Sequence, residues 1–292
     1  MRSRILNVAL AVACGLAAAA AAHAGNPGSE AKRGPWADAD HVVYFPAKGV
    51  QAPTLSKAQV QLLVNHGGPT ITSAKVVLIF WGPSFGPGGA DNGYATTLQS
   101  FRNQFGTTPE YNTITEYSGI QLSNLQGAQA DWFDSTTPPT NVTDAVVQGE
   151  VNAYLAGHGG NNTSTIYEVV IPSSSYSSSG SSTSCGGPSL SYCAYHSWIG
   201  SGASATKYSI EPWPGCSGCS VSGWTNAQNQ EHFVCHETRE AVTDPTGTGW
   251  WDRRGAEADD KCAWSPSPFF GTGGFGYQYE WSNAARACIR TR

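Results

Sequence analysis

Two continuous apolar, β-branched runs stand out along the chain, Lys75 to Trp81 and Ile166 to Ile171. Neither alternates as a half-exposed strand would, so both predict strands buried on two faces. Gly82 and Pro83 end the first. Between the runs the period lengthens: Leu98, Phe101 and Phe105 share one side of a helix predicted over Tyr94 to Phe105. Asn141-Val-Thr-Asp144 predicts the cap of a second helix that runs to about Leu155. Further strands are expected at Tyr192 to Trp198, Lys207 to Glu211 and Tyr277 to Trp281. A late helix spans about Asn226 to Val242, and Thr243-Asp-Pro245 stops it. Early alternation of strands and helices predicts an α/β fold, with a mixed, mostly parallel sheet flanked by helices. The C-terminal part reads as loop-rich, and the serine tract from Ser173 to Ser184 predicts a mobile surface loop.

The N-terminus changes the picture of where this fold resides. Arg2 and Arg4 precede an Ala-rich apolar run from Ile5 to Ala22, and Ala22-His-Ala24 supplies small residues for a signal peptidase. Residues 1–24 are therefore expected to be a signal peptide, 25–60 an extended leader, and 61–292 a single α/β domain. Cleavage removes two arginines and no acid, so the formal charge falls from −5 to −7. With lysine and arginine scattered, nucleic acid is not an expected partner, and no membrane association is expected after cleavage. The expected location is secreted or extracellular, in a periplasm or cell wall, and the expected state is monomeric.

Cysteine usage agrees with an oxidising compartment. Beyond the signal peptide lie Cys185, Cys193, Cys216, Cys219, Cys235, Cys262 and Cys288. The expected pairs are Cys185 with Cys193, Cys216 with Cys219, and Cys262 with Cys288. Cys235, inside the late helix, is left unpaired. The Cys216-Ser-Gly-Cys219 motif sits in a Pro/Gly/Ser loop rather than at a helix start, which favours a structural clip over redox chemistry.

The late helix carries the candidate chemistry. His236-Glu-Thr-Arg-Glu240 has the form H-E-x-x-E, which places His236 and Glu240 one turn apart on one face, where both can reach one cation. Glu237 projects about 100° away, within reach of a metal-bound water. The arrangement is zincin-like, with a carboxylate in place of the second histidine of H-E-x-x-H. A third ligand is expected downstream, from Glu257 or Asp260. Zinc is the expected ion, and calcium is the competitor because most of the donors are oxygens. His232 lies too far along the helix to share the ion, since the span from His232 to Glu240 is about 12 Å; it is expected at the surface or behind the ligands.

The chain also resembles the EXORDIUM-like, phosphate-induced secreted proteins of plants and their bacterial relatives. The resemblance rests on ordered blocks: Asn65-His-Gly-Gly-Pro69, Cys193-Ala-Tyr-His196, Cys216-Ser-Gly-Cys219, His236-Glu-x-x-Glu240, Glu257-x-x-Asp260-x-Cys262 and Gln278-Tyr-Glu-Trp-Ser-Asn283. It implies an extracellular or cell-wall protein and marks His196, His236, Glu237, Glu240, Glu257 and Asp260 as site positions. His196 then reads as a ligand or a transition-state donor. The resemblance implies no particular reaction.

Two functions stay open. One is a secreted zinc-dependent hydrolase, a peptidase or amidase acting on a peptide or cell-wall polymer, with Glu237 as base. The other is a non-catalytic cell-wall or carbohydrate-binding protein with a structural ion site, for which Trp250, Trp251, Trp264 and Trp281 supply candidate stacking rings.

Overall fold

The Lys75–Trp81 run becomes a central strand because both of its faces meet a hydrophobic layer. Val76, Leu78 and Phe80 join one core, while Val77, Ile79 and Trp81 join another. The computed structural model describes residues 41–50 and 61–292. The expected signal peptide, its cleavage site and most of the leader lie outside the described residues.

Six strands form the main sheet: β1 (Val43–Pro46), β2 (Lys75–Trp81), β3 (Trp132–Asp134), β4 (Thr165–Val170), β5 (Tyr192–Ile199) and β6 (Thr206–Glu211). Their spatial order is β1-β5-β6-β4-β2-β3. The pairs from β6 through β4 and β2 to β3 are parallel. Strand β5 runs antiparallel to both β6 and β1. The sheet is thus mixed, as its sequence pattern predicts. Helix α1 (Asn92–Phe105) and helix α3 (Asn226–Thr243) contribute to the core on one face, and α2 (Asp144–Gly157) to the core on the other.

Strand β1 falls within the segment expected to be an extended leader, where it adds an edge to the sheet. The serine tract differs more sharply from expectation. Tyr176–Ser179 and Ser182–Thr183 form short strands with Asn141–Thr143, and Ser177, Ser179 and Ser184 are buried. Low side-chain complexity hides real satisfaction of polar groups here. The Ser177 hydroxyl lies 2.9 Å from the Tyr192 hydroxyl, and Ser184 Oγ accepts from the Ser177 amide at 2.9 Å.

Three disulfides are present: Cys185–Cys216, Cys193–Cys219 and Cys262–Cys288. The last matches expectation, whereas the two local pairs expected upstream are replaced by crossed ones. The turn carrying Cys216 and Cys219 docks against β5 and the loop before it, so its two thiols face different partners. Closing loops of 31 and 26 residues contributes about 3–4 kcal/mol each in the chain-entropy picture. Cys235 is free and buried, as expected. Among the described residues, no helix is long and apolar enough to cross a membrane.

On the α2 side, Glu150 is buried beside Asp134 at the end of β3. Burial first, and the neighbouring Asp134 carboxylate second, push the Glu150 carboxyl up to about 8. The unfolded chain loses this proton near pH 4–5. Stability is therefore drained as pH rises from there towards 8, because ionisation favours the unfolded state. Glu150→Gln should leave the thermal midpoint unchanged at pH 4.5 and raise it at pH 8.5; a pair of melting curves at the two values checks this.

Candidate metal centre

Helix α3 starts cleanly. Thr225 Oγ1 accepts from the Gln228 amide, and Gln228 Oε1 accepts in return from the Thr225 amide at 2.8 Å, a complete capping box. Asp244 and Pro245 end it. Every residue from Asn229 to Thr243 is buried, although the sequence is rich in charge. Strands β4, β5 and β6 lie under the helix, and the Gly276–Ser282 stretch packs over it. Gly276 makes that approach feasible: a Cβ there would sit 2.4 Å from the Gln228 carbonyl oxygen. Its amide donates to Glu231 Oε2 at 2.6 Å.

The helix brings its one-turn pair together. His236 Nε2 lies 3.1 Å from Glu240 Oε2 and 3.8 Å from Asp260 Oδ1. All three side chains are buried to about 99 % or more. Tetrahedral ligands at zinc-like bond lengths stand about 3.3 Å apart, so these separations bracket what one ion needs. None of the three atoms has a hydrogen-bond partner. The other oxygens are satisfied: Glu240 Oε1 accepts from the Asp260 amide at 2.9 Å, and Asp260 Oδ2 accepts from the Glu257 amide at 3.1 Å. The unsatisfied atoms of the three residues thus lie within 4.8 Å of one another.

The tautomer of His236 follows from the network behind it. Gln278 Nε2 faces two acceptors of Asp259, its carbonyl oxygen and Oδ1, each at 2.8 Å, so this end of the amide must be the donor. Gln278 Oε1 is then the acceptor that meets His232 Nε2 at 2.9 Å and His236 Nδ1 at 3.2 Å. Both of those ring nitrogens carry protons. His236 Nε2 is left with a free lone pair, as a metal-ligating imidazole requires. Asp259 is itself fixed by Arg239, whose Nε donates to Oδ2 at 3.2 Å and whose Nη2 bonds Oδ1. Glu280 Oε2 lies 2.9 Å from the same Nε.

A second group shares Glu240. His196, at the middle of β5, places Nδ1 3.1 Å from Glu237 Oε2 and 3.7 Å from Glu240 Oε2. Its Nε2 is unpartnered and 3.9 Å from Glu257 Oε1. Of the two downstream candidates, Asp260 therefore joins His236 and Glu240, and Glu257 stands across His196. Glu237 turns its Oε2 to His196 and leaves Oε1 without a partner.

Burial, reinforced by neighbouring carboxylates, holds the carboxyls of Glu237, Glu240, Glu257 and Asp260 well above the usual range. Burial also pushes the His196 imidazole down to about 3, so it is neutral at physiological pH. Of the two places expected for His232, it takes the one behind the ligands. It is fully buried, forms an edge contact with Phe45 and supports His236 through Gln278. His66 lies apart, stacked on Trp251.

Gln278, Asp259 and Arg239 escaped the sequence reading as site residues. Gln278 was visible only as part of the Gln278–Asn283 block on which the resemblance rests, and nothing in its spacing announced a contact with two histidines. Trp251 and Trp281 are buried, and Trp264 stacks on Phe45. No family profile, curated protein or solved structure matches the chain.

Glu240→Gln tests the crowding of carboxyls directly. Its carbonyl keeps the bond from the Asp260 amide, and its amino group can donate to His236 Nε2. The metal-free variant should melt about 2–4 °C higher than the parent at pH 7.5, the shift expected for roughly 1 kcal/mol in a chain of this size. The rise in melting temperature that zinc gives the parent should be lost.

Proposed function

We propose that the chain is a zinc-class metallohydrolase acting on peptide or amide bonds, with His236 Nε2, Glu240 Oε2 and Asp260 Oδ1 as protein ligands. The observation that carries this reading is the convergence of three buried, unpartnered donor atoms on one point. An imidazole nitrogen among them favours a transition-series ion over calcium, which takes oxygen ligands. Such an ion supplies Lewis acidity and lowers the pKa of a bound water towards ~7. Glu237 is the group that accepts the proton of the attacking water. His196, neutral and beside it, gives its single N–H to Glu237 Oε2 and so holds that carboxylate in position. The three disulfides and the resemblance to EXORDIUM-like proteins support an extracellular setting.

A second reading is favoured by the burial of the site side chains, each 3 % exposed or less. In it, the same residues hold a structural ion in a non-catalytic cell-wall or carbohydrate-binding protein. An open coordination position distinguishes a catalytic ion from a structural one.

The deciding experiment is elemental analysis of the chain from Gly25, produced through an oxidising route, beside Glu240→Ala. About one equivalent of zinc, lost in the variant, is expected. Hydrolysis of peptide or amide substrates that disappears in Glu237→Gln, with zinc retained, would establish catalysis. Calcium in place of zinc would favour the structural reading, and no metal after reconstitution would sink the hydrolase. Zinc affinity should also climb as pH rises through the raised carboxyl range, since Glu240 and Asp260 must shed protons to bind. A titration series from pH 5 to 8 reads that slope.

A further inference from the structure

The segment His41–Val50 lies against the candidate centre in the manner of a bound peptide. Its Val43–Pro46 stretch is extended before the chain turns at Ala47–Val50, and β1 pairs antiparallel with the outer edge of β5, with Val43 opposite His196, Tyr44 opposite Tyr195 and Phe45 opposite Ala194. The Phe45 ring is completely buried and stacks on His236 with centroids 4.2 Å apart and planes at 24°. His232, Phe233 and Trp264 close the pocket around it at 5.0, 5.3 and 5.1 Å. Backbone contacts continue past the strand. Trp264 Nε1 donates to the Pro46 carbonyl at 2.7 Å, the Ala47 amide to Ser191 at 3.1 Å, and the Lys48 amide to Gly218 at 2.7 Å.

Main-chain hydrogen bonds along a sheet edge, with one side chain in a pocket, make up the β-augmentation mode of peptide recognition. Two features make β1 separable from the sheet. It is a four-residue edge strand with a single strand neighbour, and Pro46 cannot donate to a ladder. Strand β5 keeps its partner β6 and its disulfide from Cys193 to Cys219 without it.

We infer that the β5 edge beside His196 and His236 is a binding groove for extended peptides with an aromatic side chain, and that His41–Val50 fills it as a self-ligand. The inference deepens the hydrolase reading and rests on it for catalysis, because the ring that fills the pocket stacks on a proposed metal ligand. It also accounts for the closure of the centre: Phe45 occupies the space a substrate side chain takes.

The probe is a fluorescein-labelled decapeptide with the sequence of residues 41–50, titrated by anisotropy into the parent chain and into Phe45→Gly. The variant should bind it at least ten times more tightly than the parent. A peptide carrying the same Phe45→Gly change should lose at least tenfold. As a second arm, a protease site is placed within residues 51–60 of the otherwise unaltered chain and cut. The labelled peptide should then exchange into the groove and be displaced by unlabelled peptide. Equal binding to parent and variant, with disulfides and circular dichroism intact, overturns the inference. If Phe45→Gly does not fold, a cut chain that keeps its own segment and takes up no peptide overturns it. Metal content measured on the same samples separates the two ideas: metal without peptide binding removes the groove alone, and peptide binding without metal removes the hydrolase alone.

Discussion

The structure is organised around the cost of burying a charged helix. Helix α3 is wrapped by the sheet, by α1 and by the C-terminal strands, yet it carries Glu231, Glu237, Arg239 and Glu240 into that interior. An unpaired ion in such a place is expensive, so each group must find a partner or a proton. Arg239 meets this constraint for Asp259 and Glu280. Glu231 is met by the Gly276 amide. The surrounding architecture follows from these demands: the crossing of Gly276–Ser282 over the helix supplies Gln278, and the turn at Asp260–Cys262 supplies an amide to Glu240. The Cys262–Cys288 bond pins that turn.

What the network leaves unsettled is as informative as what it satisfies. His236, Glu240 and Asp260 each have one oxygen or nitrogen tied to protein and one aimed at the others. Folding alone gains nothing from this crowding of raised carboxyls. A divalent cation bound there would turn mutual repulsion into attraction, and the proposal of an ion rests on that. The amide of Gln278, fixed in orientation by Asp259, carries the definition of the site one layer outward.

Four of the six sheet strands and the three α-helices were legible because each follows its own period, whereas β1, set in the expected leader, and the three-residue β3 were not. The alternation in β2 divides cleanly between two cores, and α3 begins at Thr225 and ends at Asp244 as its caps require. His236 and Glu240 were legible for a related reason, since a one-turn spacing is a property of the helix itself. The choice between Glu257 and Asp260 was not, because both lie on a loop whose path is set by Asp252, which accepts amides from Arg254 and Ala256. The serine tract misled because its burial depends on hydroxyl pairing with Tyr192, which leaves no hydrophobic signature. The crossed disulfides were hidden by the same limit: local spacing cannot see which distant strand a turn will dock against.

Cys235 adds a consequence for how the chain reaches this state. It is the one unpaired thiol among the described cysteines, and burial pushes it up to about 12, so in the finished protein it is inert. Before α3 is enclosed nothing protects it. An exposed thiol near its ordinary value is a competent partner for six others in an oxidising compartment. A stray crosslink through Cys235 would hold the central helix open until thiol–disulfide exchange released it.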